Sequence, residues 1–199
     1  GDELAHGDVA LEEAAGAVRS GRILAVQGLG GFHLLVDATD PAAVTLLRRR
    51  KGREEKPFAG MFPSLEAVRA VCVVSPLAAD VLASPEAPIV LLRRLPPRQS
   101  ACPTIADAVA PRNPWLGAML PYTPLHRLLI DAAGLPLVCT SGNLSEEPMC
   151  VDERDARARL GSVADRFLVH DRPIIRPVDD SVVRIGPQGP ELLRRGRGF

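Results

Sequence analysis

Apolar positions along this chain fall into short runs broken by Gly, Pro and Asp, with few long periodic stretches. Helical spacing fits Val9 to Ser20, with Asp8 as N-cap and Gly21 as a left-handed stop. The apolar run 22-RILAVQ-27 predicts a strand. The next residues, GLGGFHLLVDATDP, place three glycines in four positions and then resume apolar character, which predicts a tight turn and a second strand.

From Asp40 the spacing turns helical again. Asp40 is suited to cap, Pro41 to the first turn, and Val44 and Leu47 share one face until Gly52. Beyond Pro57, PFAGMF reads as a strand, Ser64 as the cap of LEAVRAV, Ser75-Pro76 as the start of PLAADVLA, and 89-IVLLRR-94 as a strand. The Pro-rich, polar stretch 95–114 predicts a long loop with a helical turn near Ile105. Thr123-Pro124 opens a helix, LHRLLIDAAG, that closes at Gly134. Next come a buried strand and polar turn, 136-PLVCTSGN-143, a short charged helix, 152-DERDARARLG-161, and three strands, RFLVHD, DSVVRIG and ELLRR. Helices and strands alternate without an internal repeat, so the expected class is α/β with an open, twisted mixed sheet and flanking helices.

Composition supports one ordinary core. The chain has 199 residues, 46% of them apolar, so it can bury a sizeable interior as a single domain. Its 24 basic and 24 acidic residues cancel, which removes any global field toward nucleic acid or a lipid surface and leaves anion binding to local clusters. Cys72, Cys102, Cys139 and Cys150 form no CxxC pair and show no His-rich ligand spacing, so neither a zinc site nor a disulfide scaffold is expected. No run reaches the length of a membrane span, and the first residues lack a signal-peptide pattern. A cytoplasmic protein is expected. The opening Gly1 and the closing ELLRRGRGF suggest a domain cut from a longer chain.

Three polar constellations stand out. The first is 48-RRRKGREEKP-57, in which Lys51, Arg53 and Lys56 leave a helix end and can converge on a triphosphate, Arg through a planar fork and Lys through a compact charge. The competing account is a solvated helix C-terminus, where the negative end of the dipole attracts basic residues. The second is 140-TSGNLS-145, where Thr140, Ser141 and Asn143 end an apolar strand and offer hydroxyl, amide and backbone donors to a phosphate or a small planar group, or simply form a turn. The third gathers His33, Thr123, His126, Arg184, Asp179 and Asp180. The histidines can line a pocket or be satisfied core residues, and the aspartates can hold Mg²⁺ or pair with Arg184. No GxxxxGK(S/T), GxGxxG or GxSxG motif is present.

In order and spacing, GLGGFHLLVDA, RRRKGREEKPFA, LPYTPLH, PLVCTSGNLS, RPI and DDSVVR resemble the YrdC-like domain of HypF-type carbamoyltransferases, the hydrogenase maturation factors. The resemblance runs from about Asp8 to Phe199. It implies a concave nucleotide site with Lys51, Arg53 and Lys56 at the phosphates and Ser141 and Asn143 as the family's Ser-x-Asn pair. Thr140, Thr123, His126, His33 and Arg184 would line the pocket, and Asp179 and Asp180 would be Mg²⁺ ligands. The reaction it implies joins carbamate, derived from carbamoyl phosphate, to ATP, giving carbamoyl adenylate and pyrophosphate. The carbamoyl group would then pass, through the longer parent, to a HypE-type acceptor protein. Two departures are visible: two residues separate Arg53 from Lys56 where the related synthases usually have three, and Gln27 stands where HypF-like chains often have Lys. The rival readings are a threonylcarbamoyl-adenylate synthase, an antibiotic O-carbamoyltransferase domain and, in another class, a double-stranded RNA-binding module using the basic run.

Overall fold

The structure, a computed structural model, describes residues 4–96, 104–144 and 147–199. Strands β1 (Leu24–Gln27), β2 (Phe32–Asp37), β3 (Ala59–Met61), β4 (Ile89–Arg93), β5 (Trp115–Met119), β6 (Leu137–Ser141), β7 (Arg166–Leu168), β8 (Val182–Gly186) and β9 (Gly189–Arg194) form one sheet. Its order is β7-β1-β2-β6-β3-β5-β4-β8-β9. The pairs β1/β7, β3/β5 and β4/β8 are parallel and the rest antiparallel, so the sheet is mixed, as the alternation of elements predicts.

Helices pack on both faces of the sheet, which is why its central strands read as largely apolar runs. On one face Ala25, Phe32, Leu34, Leu116, Ala118 and Val138 pack in a cluster with α2 (Pro41–Lys51), α3 (Leu65–Val71), α4 (Pro76–Leu82) and α6 (Glu153–Leu160). On the other, Leu24, Val26, Leu35, Met61, Met119 and Leu137 pack against α1 (Gly7–Arg19) and α5 (Pro124–Ala133). The alternation of side chains along each strand divides the two cores.

Most helix ends lie where the capping residues put them. Asp40, Ser64, Ser75, Thr123 and Asp152 each accept backbone N–H bonds as N-caps, and Gly52 and Gly134 close their helices in the left-handed region at φ 65° and 70°. The first helix is the exception. It starts at Gly7 after His6, so Asp8 sits inside the first turn, where its charge suits the positive end of the dipole without a capping bond.

Strand β5 was not expected. Its sequence, WLGAM, follows a Pro-rich loop and carries a glycine, both of which mask a strand signal. Part of the long loop, 97–103, lies outside the described residues, as do Cys102 and Ser145. The helical turn expected near Ile105 is a 3-10 turn at Asp107–Val109. Cys72, Cys139 and Cys150 are buried free thiols.

Candidate functional site

Helices α1 and α5 leave part of their face of the sheet open. Cys139, Ala59, Gly117, Leu91 and Arg184 are successive partners across β6, β3, β5, β4 and β8, so they form one transverse row. That row is the floor of a cleft of about 1140 Å³. Ala59 and Gly117 supply little side chain at its centre, and the surface is concave there. Ile89, Trp115, Val182 and Leu193 give it apolar walls, while Lys51, Arg53, Lys56, Thr140, Ser141, Asn143, Asp179 and Arg194 line its polar side.

The basic run divides by direction. In α2 the buried positions Val44, Leu47, Arg48 and Lys51 follow the i, i+3, i+4, i+7 spacing of one face, so Arg48 and Lys51 continue an apolar stripe inward. Arg48 donates from Nη1 to the carbonyls of Arg53 (2.9 Å), Glu54 (3.0 Å) and Lys56 (3.2 Å), and from Nη2 to Val109 (3.1 Å). Its guanidinium lies 4.4 Å from the centre of the Phe58 ring. One arginine thus frames the whole 53–57 loop, and burial pulls its pKa down. Arg50 is likewise held, by the Val163 carbonyl and Asp165.

Lys51 is 3% exposed, and its Nζ donates to the carbonyls of Ser141 (2.7 Å) and Asn143 (2.6 Å) and to Asn143 Oδ1 (2.8 Å). Burial, then the charge of Arg53, lowers its pKa to about 8. Arg53 donates to Thr140 Oγ1 (3.1 Å) and to the Pro57 carbonyl (2.6 Å), and burial lowers its pKa to about 10. Lys56 stands exposed on the rim. The three cations therefore have different jobs: Lys51 ties the helix end to the 141–143 turn, Arg53 joins the end of β6 to the 53–57 loop, and Lys56 faces solvent at the cleft mouth.

The turn itself is tightly built. Ser141 Oγ donates to Asn143 Oδ1 (2.7 Å), Asn143 Nδ2 donates to the Glu147 carbonyl (2.6 Å), and Gly142 N donates to the Phe32 carbonyl (2.6 Å). A Cβ on Gly142 would stand 2.6 Å from Phe32 Cβ, so only glycine lets β6 close against β2 here.

Three expected pocket residues lie behind the cleft rather than along it. Thr123 caps α5, accepting from His126 N (3.1 Å), and its hydroxyl also meets His126 Nδ1 (2.9 Å). His126 is 1% exposed, and burial lowers its pKa to about 3, so its ring is neutral. Its ring stacks on that of His33 at 5.5 Å, and His33 Nδ1 lies 3.2 Å from Cys139 Sγ. The N-terminus of α5 is thus capped by its own Thr123 side chain.

The acidic pair is also spoken for. Asp179 Oδ2 pairs with Arg194 (2.7 Å) and its Oδ1 accepts from Asp180 N (2.9 Å). Asp180 Oδ1 pairs with Arg197 (3.2 Å), and its Oδ2 lies 3.8 Å from His33 Nε2. Among the described residues no group of three or more His, Cys, Asp or Glu could hold a metal ion. Asp179 and Asp180 stand as two arginine-paired carboxylates outside any such group. Arg184 is not their partner; it pairs with Glu191 while lining the cleft. Sequence reasoning missed Arg48, Arg194 and the Trp115 wall. Only Arg48 carried a legible signal, its place in the stripe of α2. Gln27, one of the two expected departures, is 7% exposed and bonded both ways: Nε2 donates to the Arg172 carbonyl (3.2 Å) and Oε1 accepts from His170 N (3.1 Å).

Residues 16–196 match the Sua5, YciO and YrdC family profile, described as telomere recombination. The chain is 47% identical to the carbamoyltransferase HypF of Synechocystis across 199 residues, which is all of this chain and 25% of that protein. It is 52% identical to the carbamoyltransferase HypF of Rhodobacter capsulatus over 189 residues, 95% of this chain and 24% of that one. A crystal structure of full-length HypF in its phosphate- and nucleotide-bound form superposes with a TM-score of 0.92 at 42% identity, covering 99% of this chain and 25% of that chain. The chain thus spans about a quarter of the length of the relatives it matches.

Proposed function

We propose, from the premise that this chain belongs to the Sua5, YciO and YrdC family in its branch of HypF-type carbamoyltransferases, that the cleft binds ATP and adenylates carbamate. The observation that carries this reading is the convergence of Lys51, Arg53, Lys56 and Arg194 with Ser141 and Asn143 around one concave cleft whose other wall is apolar. A triphosphate matches the first side and a base the second, against Trp115 and Leu91.

Carbamate, derived from carbamoyl phosphate, attacks the α-phosphate of ATP in line. The new bond joins a carbamate oxygen to phosphorus, and the bond to the β-phosphate oxygen breaks. The leaving pyrophosphate carries the developing charge, which Arg53, Lys56 and Arg194 neutralise from fixed positions. Lys51 acts by holding the turn of Ser141 and Asn143, which lines the cleft where the carbamoyl group would sit. Mg²⁺ enters with ATP as part of the substrate. The carbamoyl adenylate is then used elsewhere in a longer cytoplasmic protein, with a HypE-type protein as final acceptor. No helix of the described residues is long and apolar enough to cross a membrane.

A duplex-RNA role gains nothing from the geometry. Arg48, Arg50 and Lys51 turn inward, which removes much of the phosphate-facing charge that the basic run seemed to offer. The test of the adenylation reading is exchange of labelled pyrophosphate into ATP. The expected result is exchange that depends on carbamoyl phosphate or carbamate and is lost in Arg53→Ala. Exchange that is absent from a chain proven to bind ATP, also when fused to its natural neighbours, would reject it.

A further inference from the structure

The residues behind the cleft are organised by one arginine outside it. Arg197 Nη1 donates to the Glu86 carbonyl (2.7 Å) and Nη2 to the Ala87 carbonyl (2.7 Å), while the guanidinium lies 3.6 Å from the centre of the Tyr122 ring. Its Nη2 pairs with Asp180, and the two side chains are 10% and 11% exposed. The backbone is pinned as well: Arg197 N donates to the Asp179 carbonyl (2.8 Å), and Ser181 Oγ donates to the Arg197 carbonyl (2.9 Å). Gly196 makes this approach feasible, since a Cβ there would collide with the Asp179 carbonyl.

We infer that Arg197 sets the charge of the cleft floor from behind, compensating Asp180 so that the inner end of the cleft accepts a polyanion. Asp180 lines the cleft, whereas Arg197 does not. The groups that meet the carboxylate's charge include Arg197, His33, the Tyr122 phenol and the Cys139 thiol, while Arg194 meets the Asp180 backbone carbonyl. Arg197 is the one permanent cation among the described groups that face this carboxylate. A buried carboxylate stripped of it keeps an uncompensated negative charge beside the place where phosphates would lie. Arg197 is thus a positioning residue that acts through Asp180. The two successive aspartates are matched to two arginines, Asp179 to Arg194 and Asp180 to Arg197; both members of the first pair line the cleft, and of the second only Asp180 does.

A strap that merely anchored the segment would lose its backbone bonds on substitution, and removing the Asp180 charge would not bring them back. Charge compensation predicts the opposite, so a double-mutant cycle separates the two. Melting temperature and affinity for inorganic tripolyphosphate are measured for the wild type, Arg197→Ala, Asp180→Asn and the double variant. Arg197→Gln replaces Arg197→Ala in the cycle if the latter fails to fold. The expected result is that Arg197→Ala weakens tripolyphosphate binding by about tenfold or more and lowers the melting temperature, and that adding Asp180→Asn restores most of the affinity and part of the melting loss. A double variant that recovers neither would overturn the inference. The affinity arm rests on the cleft being a polyanion site and the melting arm does not. If the wild type binds neither tripolyphosphate nor ATP, the proposed function fails, and the melting cycle alone decides for or against Arg197.

Discussion

Replacing Lys51 by Met tests the division of labour among the basic residues, because it keeps the length and apolar stem while removing the ammonium. The structure gives both sides of the balance. Three charge-assisted bonds, to two carbonyls and one amide oxygen, are lost. At roughly 1.5 to 3 kcal/mol each they amount to about 5 to 9 kcal/mol. Against this, burial and Arg53 disfavour the charged form: a pKa lowered from 10.5 to about 8 corresponds to about 3 kcal/mol. The net loss at the low end is about 2 kcal/mol, or a fall of roughly 4 to 8 °C in melting temperature for a chain of this size. Differential scanning calorimetry reads the first quantity, and titration with Mg-ATP reads the second, which should fall at least about tenfold as the 141–143 turn loosens. A variant that melts where the wild type does and binds nucleotide equally well would refute the claim that Lys51 ties these elements together.

Other perturbations follow from the same geometry. Nucleotide affinity of the wild type should fall as pH rises above about 8, as Lys51 loses its charge, while the Lys51→Met variant stays flat across that range; binding titrations at several pH values check this. The stability effect of Lys51 runs the other way. Because its folded pKa is below the unfolded value, the cost of the buried ammonium is full below about 8 and is relieved as pH rises toward 10.5, so its contribution to unfolding free energy grows in that window. Arg48→Met should destabilise by about 3 kcal/mol, since it strands part-buried carbonyls of the 53–57 loop, and denaturant melts would show it. Gly142→Ala should cost about 1 to 3 kcal/mol by forcing β6 from Phe32, measured the same way. The single tryptophan, Trp115, lines the cleft, so its fluorescence should change on nucleotide binding and stay constant with tripolyphosphate, which has no base.

Much of the fold was legible because its signals are local. The caps Asp40, Ser64, Ser75, Thr123 and Asp152 and the stops Gly52 and Gly134 act on their own helix ends, and the expected elements lie beside them. Strand β5 was hidden because Gly117 is selected by the cleft floor and not by strand propensity. Within the site, the grouping of Lys51, Arg53, Lys56, Thr140, Ser141 and Asn143 was readable, but not the direction of each side chain. Val44 and Leu47 already marked the inward face of α2, and extending that phase by one turn would have turned Arg48 and Lys51 toward the interior. The acidic pair was beyond reach for a different reason. Asp179 and Asp180 find Arg194 and Arg197 only because β8 and β9 fold back on each other and the chain then returns under the cleft, and no spacing rule encodes that return. His33 on β2 and His126 on the capped α5 meet as stacked, buried rings, the core placement that the sequence left open beside a pocket role, and only the tertiary fold brings the two together.

The central claim is that the cleft beside α2 is a nucleotide site, and calorimetric titration of Mg-ATP into the wild-type chain and into Lys56→Ala tests it most directly. Lys56 is exposed on the rim, so its loss should leave melting unchanged. The account predicts saturable one-site binding in the wild type and binding at least about tenfold weaker in the variant. Equal affinity in the two, or no heat and no melting shift with ATP in the wild type, would contradict it.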